Sequence, residues 1–139
     1  MSTKIRAEIS EKNPYWIDKH RYYELKHFCL QYPLWKQMIN ILDGYSSHST
    51  ELIIPLVGKI YGDPTADKVA LREFYMDRIE LLKHIATETD PMLGIYILKA
   101  VTEGLTYDYF KSRLEIPCCK DTYYNLYRRF FWLLSQVRK

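Results

Sequence analysis

The sequence predicts an all-α fold, a helical bundle of five to seven helices that ends in a helix-turn-helix. Apolar residues recur at three- and four-residue spacing along most of the chain, prolines and glycines separate these stretches, and clear strand-like alternation is lacking. The 139 residues, 47% hydrophobic and 27% charged, are enough to bury a core. We therefore expect residues 1–139 to form a single all-α domain.

Residues 1–62 are predicted to form an N-terminal aromatic helical hairpin region. The spacing of apolar and aromatic residues favours one helix over about residues 13–31 and a second helix over 34–42. Pro33 interrupts the pattern between them, since proline removes a helical hydrogen bond and restricts the residue before it.

The middle of the chain combines an uncertain segment with a well-marked helix. The small polar residues of 43–50 predict a loop. Residues 51–61 suit a short buried helix or, less well, a strand, because an internal proline argues against a central strand. Residues 63–89 are predicted to form a long central helix, with Asp63 as its N-cap and Pro64 at its first helical position.

Residues 90–139 are predicted to form the helix-turn-helix unit. Asp90 and Pro91 repeat the arrangement of cap and proline and start a helix that runs to Glu103. Gly104 should end this helix, because glycine adopts the left-handed conformation common at helix C-termini.

Two more helices, joined by a proline-bearing turn, should complete this unit. Thr106 can cap a helix over Tyr107–Leu114. Pro117 disfavours helical geometry in the residue before it, so we expect an extended residue there and a new helix that begins at Cys118 or Cys119. This final helix is the candidate recognition helix.

The candidate recognition helix has an apolar side and a polar side. A stripe at helical spacing should pack against the protein body: Tyr123, Leu126, Tyr127, Phe130, Leu133, Leu134 and Val137. The polar side can reach DNA, since arginine pairs with guanine or phosphate, asparagine with adenine, and lysine supplies a point charge. The predicted DNA-binding residues are Lys120, Asp121, Tyr124, Asn125, Arg128 and Arg129, with Thr106 and Lys111 on the DNA backbone from the preceding helix.

Charge is unevenly distributed along the chain. Residues 106–139 carry seven Lys or Arg against three Asp or Glu, a balance of +4, whereas residues 51–105 carry six against nine, a balance of −3. A basic end favours an anionic partner such as nucleic acid. The alternative interpretation is an amphipathic helix with a solvated basic face, which occurs in many proteins that do not bind nucleic acid.

The stretch from Leu114 to Leu134 also carries a motif, Leu-x-Ile-Pro-x-Cys-x-x-Thr-Tyr-Tyr followed by Arg-Arg and large apolar residues. It resembles the C-terminal helix-turn-helix of phage and prophage regulators of the RinA/ArpU type, which look like relatives of sigma-factor region 4. The resemblance implies control of late or packaging-gene transcription. The matching positions are Leu114 and Ile116 in the turn, Thr122 and Tyr123 at the start of the recognition helix, and Arg128 and Arg129 as its basic pair. Cys119 stands where a serine cap is common. More loosely, residues 13–36 are similar to prophage and mobile-element proteins of Gram-positive gut bacteria.

Composition argues against membrane and secreted proteins. The chain has no run of about 18 apolar residues, and its first residues lack the apolar core of a signal peptide. Three cysteines, two of them adjacent, do not suit a disulfide framework and fit a reducing compartment. We expect a cytoplasmic protein of a bacterial host cell, with no membrane partner.

Motifs for metal binding and catalysis are missing from the sequence. His20, His27 and Cys29 lie close together, but no second ligand cluster follows, and a zinc site needs three or four ligands. Carboxylates such as Asp77 and Glu80 are flanked by cations, so solvated ion pairing explains them. Without a phosphate loop, a nucleophile elbow or a zinc-protease motif, we expect no enzyme, no metal, no cofactor and no small-molecule substrate.

The sequence thus predicts a phage-type or prophage-type protein that binds double-stranded DNA and regulates transcription. One recognition helix contacts only a few base pairs, so RNA polymerase or a second copy of the chain in a dimer is the expected partner. The aromatic segment from Tyr15 to Trp35 is the candidate surface for that partner. The alternatives are a protein-interaction module, such as a phage-encoded inhibitor of a host enzyme, and a packaging protein like a terminase small subunit.

Overall fold

The computed structural model describes residues 13–44 and 64–138, and over these ranges it is helical, without a strand. The helices are α1 (Lys19–Cys29), α2 (Tyr32–Leu42), α3 (Pro64–Thr89), α4 (Gly94–Glu103), α5 (Tyr107–Arg113) and α6 (Lys120–Val137). The predicted all-α fold of five to seven helices is therefore confirmed. The predicted element at 51–61, most of the loop at 43–50 and the Asp63 cap lie outside the described residues. None of the described helices is both long enough and apolar enough to cross a membrane.

The chain divides into two compact units. The first comprises Met1–Gln31 with Leu82–Lys139, and the second comprises Tyr32–Leu81. Helix α3 contributes its last turns to the first unit and its earlier turns to the second. The division of residues 1–139 into regions 1–62, 63–89 and 90–139 of one domain stays a prediction.

Helices α1, α4 and α6 pack against one another in the first unit. Large apolar side chains with no exposed surface come from these three helices, from the end of α3 and from α5: Leu25, Leu82, Ile85, Ile97, Phe110, Phe130 and Leu134. Burial of each such side chain stabilises the fold by about 1.5–3 kcal/mol. This core holds α6 in place and so determines which of its residues face solvent.

Helix α1 begins at Lys19, later than the apolar spacing from residue 13 predicts. Asp18 occupies the N-cap with φ −58° and ψ 144°, and its carboxylate accepts hydrogen bonds from the amides of His20 (3.0 Å) and Arg21 (3.4 Å). These are amides at the start of a helix that have no partner within it. The aspartate therefore sets the start of α1.

Pro33 lies inside the first turn of α2, so the prediction that it separates the first two helices is wrong. Proline is tolerated there because the amide it lacks would have no helical partner. The break falls at Leu30 and Gln31 instead.

The second unit has a small apolar cluster on α2 and α3. Its members are Ile41, Leu42, Met38, Leu71 and Tyr75. An ion pair joins Arg72 Nε to Asp43 Oδ1 at 2.7 Å, and the hydrogen bond lowers the pKa of Asp43. The pair holds the end of α2 to α3.

The ends of α4 are set by Asp90 and Gly104. Asp90 Oδ1 accepts hydrogen bonds from the amides of Met92 (2.8 Å) and Leu93 (2.7 Å), which form a turn before the helix. Helix α4 therefore begins at Gly94, a few residues later than predicted. Gly104 ends it in the left-handed conformation with φ +70°, as predicted.

Gly94 allows a close approach of the backbones of α3 and α4. A Cβ atom added to Gly94 would collide with the carbonyl oxygen of Ala86 in α3. Because Ala86 lies in a buried part of α3, that oxygen cannot move away easily.

We predict that Gly94→Ala destabilises the protein by about 1–3 kcal/mol, the usual cost of overpacking. An alanine in a helix would otherwise be favoured over glycine by roughly 0.5–1 kcal/mol, so the sign of the effect tests the contact. Urea unfolding followed by circular dichroism measures it. The control is Ile95→Ala, since that side chain is 70% exposed and should change stability little. A midpoint for Gly94→Ala at or above that of the parent protein would contradict the contact.

Candidate nucleic-acid interface

Helices α5 and α6 and the turn between them form the predicted helix-turn-helix. Thr106 caps α5 with extended backbone, φ −105° and ψ 165°, and its hydroxyl accepts a hydrogen bond from the amide of Tyr109 at 3.3 Å. This cap confirms the prediction from sequence. Helix α5 is short, ending at Arg113, one residue before the predicted end.

The turn from residue 114 to 119 is clamped to α5 by backbone and side-chain contacts. The Ile116 amide donates to the carbonyl of Phe110 at 3.2 Å, and the Ile116 side chain is buried. The Tyr107 hydroxyl donates to the carbonyl of Cys118 at 2.9 Å. Glu115 adopts a left-handed conformation, φ +48°, which reverses the chain direction without glycine. The clamp fixes where α6 begins relative to α5.

The inner face of α6 matches the predicted stripe at five positions and differs from it at three. Its buried residues are Tyr123, Leu126, Tyr127, Phe130, Phe131 and Leu134. Phe131, 1% exposed, was not in the predicted stripe, whereas Leu133 is half-buried and Val137 is 55% exposed. The inner face is therefore rotated slightly toward the side of Phe131.

The N-terminal turns of α6 present polar side chains to solvent. Lys120, Asp121 and Asn125 are exposed, and Tyr124 and Arg128 are half-buried. These five residues lie within residues 120–128, about two and a half helical turns. On the preceding helix and its cap, Lys111 and Thr106 are exposed too.

Arg129 binds the protein itself. Its guanidinium donates to the carbonyls of Thr89 (3.2 Å, from Nε) and Glu88 (3.2 Å, from Nη2), the last residues of α3. Nη1 donates to the Tyr15 hydroxyl at 3.4 Å. A cation at this position interacts favourably with the C-terminal carbonyls of a helix and with its dipole. The structure thus gives the Arg129 guanidinium three partners within the protein.

The outward charge of this region is smaller than the sequence balance of +4. Arg138 lies over the Phe28 ring, with its guanidinium carbon 3.9 Å from the ring centroid. Arg129 also contacts the protein itself. On α5, the turn and the first turn of α6, exposed positive and negative charges are equal in number. The exposed cations are Lys111, Arg113 and Lys120, and the exposed anions are Asp108, Glu115 and Asp121.

We predict that Arg129→Ala lowers the free energy of unfolding by about 1–2 kcal/mol, because the α3 carbonyls lose charged donors. Thermal unfolding followed by circular dichroism measures the loss. Arg113→Ala is the matched control, since Arg113 is exposed in α5 and should change stability by less than about 0.5 kcal/mol. Equal losses in the two variants would argue against a capping role for Arg129.

The three cysteines have different surroundings. Cys119 is the exposed N-cap of α6, but its thiol accepts no capping hydrogen bond from the helix. Its Sγ lies 3.2 Å from Thr122 Oγ1, and this contact, helped by nearby helix amides, lowers the pKa of Cys119. Burial raises the pKa of Cys118, and that of Cys29 still more, since Cys29 has no exposed surface. No group of three His, Cys, Asp or Glu in the described ranges could hold a metal ion.

We predict that iodoacetamide alkylates Cys119 first, Cys118 more slowly and Cys29 only after unfolding. The thiolate is the nucleophile, so the lowered pKa of Cys119 gives it the largest thiolate fraction of the three cysteines. Peptide mass spectrometry over time measures the order. Thr122→Val removes the hydroxyl contact and should slow alkylation of Cys119 while leaving the rate at Cys118 unchanged. A faster reaction at Cys118 in the parent protein would contradict the assignment.

The aromatic N-terminal segment contributes mainly to the interior. Four of its aromatic side chains, Tyr22, Phe28, Tyr32 and Trp35, are buried, and Tyr23 is half-buried. Its more exposed apolar residues are Trp16 (37%), Leu30 (38%) and Leu34 (45%). Tyr15 packs against Trp132 of α6, with ring centroids 5.9 Å apart. A partner surface between Tyr15 and Trp35 stays a prediction.

Arg113 is a candidate DNA-contacting residue that the sequence analysis did not include. Arg113 is exposed at the end of α5, two positions after Lys111, and its guanidinium lies 6.0 Å from the Tyr109 ring centroid. The sequence could have indicated Arg113, since it is a cation that precedes the turn, as Lys111 does.

No family model, curated protein or solved structure matches the chain. The resemblance to phage regulators therefore stays a prediction.

Proposed function

We propose that the protein binds double-stranded DNA through the first turns of α6, with α5 against the DNA backbone. The observation that supports this most is the division of α6 into a ring-lined inner face and an open polar N-terminal part, residues 120–128. In helix-turn-helix proteins the N-terminal residues of the recognition helix contact base edges in the major groove. A short helix, a clamped turn and a longer amphipathic helix supply that geometry here.

Each of the five polar residues at the start of α6 has a chemically distinct role in this proposal. Asn125 suits adenine, Arg128 suits guanine or a phosphate, and Asp121 can accept a hydrogen bond from cytosine. Lys120 supplies a charge to the phosphates, and Tyr124 supplies an aromatic edge beside it, with Lys120 Nζ 5.9 Å from its ring centroid.

The preceding helix adds backbone contacts. Lys111 and Thr106 are exposed and can bind phosphates without reading sequence, and Arg113 joins them. Arg129 is assigned a structural role, because it already donates to two α3 carbonyls and to Tyr15.

The small size of this surface bears on the biological role. Five side chains of one helix contact few base pairs, so specific binding needs a second half-site or a protein partner. We accordingly propose a transcriptional regulator of phage or prophage type that acts as a dimer or beside RNA polymerase.

We predict that Lys111→Ala with Lys120→Ala weakens binding to duplex DNA and flattens its salt dependence. Each lost phosphate contact should reduce the slope of log K against log salt by about 0.9. Fluorescence anisotropy with a labelled random duplex at several salt concentrations measures both quantities. Lys36→Ala with Lys83→Ala is the matched control, because it removes the same charge from exposed positions outside α5 and α6. Equal slopes in the two double variants, or no binding by the parent protein, would refute the proposal.

A protein-interaction module is the second candidate, and exposed apolar residues favour it. Met92 is 81% exposed, Ile95 70% and Leu114 43%, and Ile95 and Leu114 line the same shallow surface depression. The even balance of exposed charges around α5 also lessens the attraction to DNA. Parent protein that fails to bind random duplex at low salt would favour this second function.

A further inference from the structure

Helix α4 is apolar on its outward side as well as on its inward side. The outward side carries Ile95, which is 70% exposed. The two charged residues of the helix, Lys99 and Glu103, pair with each other at 3.2 Å. A helix that is apolar on all sides is normally buried. The outward side of α4 therefore has the composition of a surface that another molecule covers. The inward side is buried and includes Gly94, Ile97, Ala100 and Val101.

Two shallow depressions of the first unit lie on either side of Ile95, which lines both. One, of about 260 Å³, lies between α4 and the last turns of α3. The other, of about 240 Å³, lies between α4 and Leu114, just after α5. Six of the residues that line them define the α4 face: Lys83, Asp90, Ile95, Leu98, Lys99 and Leu114.

We propose that the α4 face is the contact between two copies of this chain in a two-fold symmetric homodimer. The proposed function needs a second half-site or a protein partner, and this inference rests on it in naming a second copy as that partner. The dimer itself is tested without DNA, so that either proposal can fail without the other.

The shape of the α4 face suits a copy of itself. Ile95 stands exposed between the two depressions, so ridge-into-groove packing can place the Ile95 of each copy in a depression of the other. In a two-fold interface the same patch serves both partners, and both protrusions are therefore covered at once. Leu98 and Leu114 extend the apolar contact to the two sides of Ile95.

The charges of the α4 face are self-complementary. Lys83 and Asp90 line the depression on the α3 side, whereas Lys99, paired with Glu103, lines the depression on the α5 side. A two-fold axis that runs along α4 brings the α3 side of one copy against the α5 side of the other. Asp90 then faces the Lys99 of the second copy, and Lys83 faces its Glu103. Because these four charges sum to zero, the face favours a copy of itself over a strongly acidic or basic partner.

The α4 face and the proposed DNA surface share no residue. Of the described residues that line the two depressions, none is among the eight predicted to bind DNA. One dimer therefore carries two helix-turn-helix units, which is what recognition of two half-sites requires.

Sedimentation velocity of the full chain without DNA, from low micromolar to several hundred micromolar, tests the proposal. We expect a reversible monomer–dimer equilibrium with a dissociation constant on the order of 10 µM, because one helix face buries less area than a standard interface. Ile95→Glu should weaken the dimer by about tenfold or more, since the new carboxylate would be buried in an apolar contact.

Leu34→Glu is the matched control. It makes the same change at an exposed apolar residue of α2, outside the α4 face, and should leave the dissociation constant unchanged. Both positions are exposed in the single chain, so both variants should keep the parental circular-dichroism spectrum.

Charge reversal tests how the two copies face each other. Lys83→Glu alone and Glu103→Lys alone should each weaken the dimer by roughly three- to tenfold, because each places like charges opposite each other in two symmetric contacts. The two substitutions together restore opposite charges and should return the dissociation constant to within about threefold of the parental value.

Four results would overturn the proposal. They are a chain that stays monomeric over the whole range, parental dimerisation of Ile95→Glu, equal weakening by Leu34→Glu and Ile95→Glu, and a double charge reversal no tighter than either single one. A dimer that meets these expectations but does not bind duplex DNA would support this inference and count against the proposed function.

Discussion

Burial of the ring stripe of α6 is the constraint on which the rest of the first unit depends. Tyr123, Tyr127, Phe130 and Phe131 are each no more than 6% exposed, and each large apolar side chain contributes about 1.5–3 kcal/mol on burial. Tyr22 of α1 fixes the rotation of α6, since its ring meets Phe131 edge-on at 5.1 Å and its hydroxyl contacts that of Tyr127. Helical periodicity then determines which residues of α6 face away from the core. Once the rings point toward α1 and α4, residues 121, 125 and 128 must point the other way.

The ends of helices account for cations that would otherwise be attributed to a binding surface. A helix leaves its last four carbonyls without partners, and an arginine that reaches them supplies several donors and a favourable charge. Arg129 does this for α3, and Arg21 does it for α6 by donating to the carbonyls of Ser135 and Arg138. Arg21 and Glu24 form an ion pair as well, at 2.6 Å. The basic character of the C-terminal third therefore reflects internal contacts as well as any external partner.

Local patterns in the sequence were sufficient to predict the fold class and most of the helix ends around the candidate site. The Thr106 cap, the Gly104 terminus and the length of α3 follow from rules that involve only neighbouring residues, and these predictions are confirmed. The errors arose where several local solutions were equally good, as with Pro33, which suits a helix start as well as a break. Tertiary contacts could not be predicted at all. No local pattern predicts the contacts of Arg129, since they depend on the position of the α3 carbonyls, which lie about 40 residues earlier in the chain.

The start of α6 is exposed, whereas the N-terminal segment contacts part of its second half. The Tyr15 ring lies against Trp132, and its centroid is 5.9 Å from the Arg129 guanidinium carbon. A DNA duplex that met the whole helix would have to displace this segment and uncap α3. Contact limited to residues 120–128 requires neither change, and it is the end of the helix that DNA-binding helices of this class present to base edges. Because so short a surface distinguishes few sequences, specificity in a genome must come from a second contact. Dimerisation or a protein partner is therefore a physical requirement of the DNA-binding proposal.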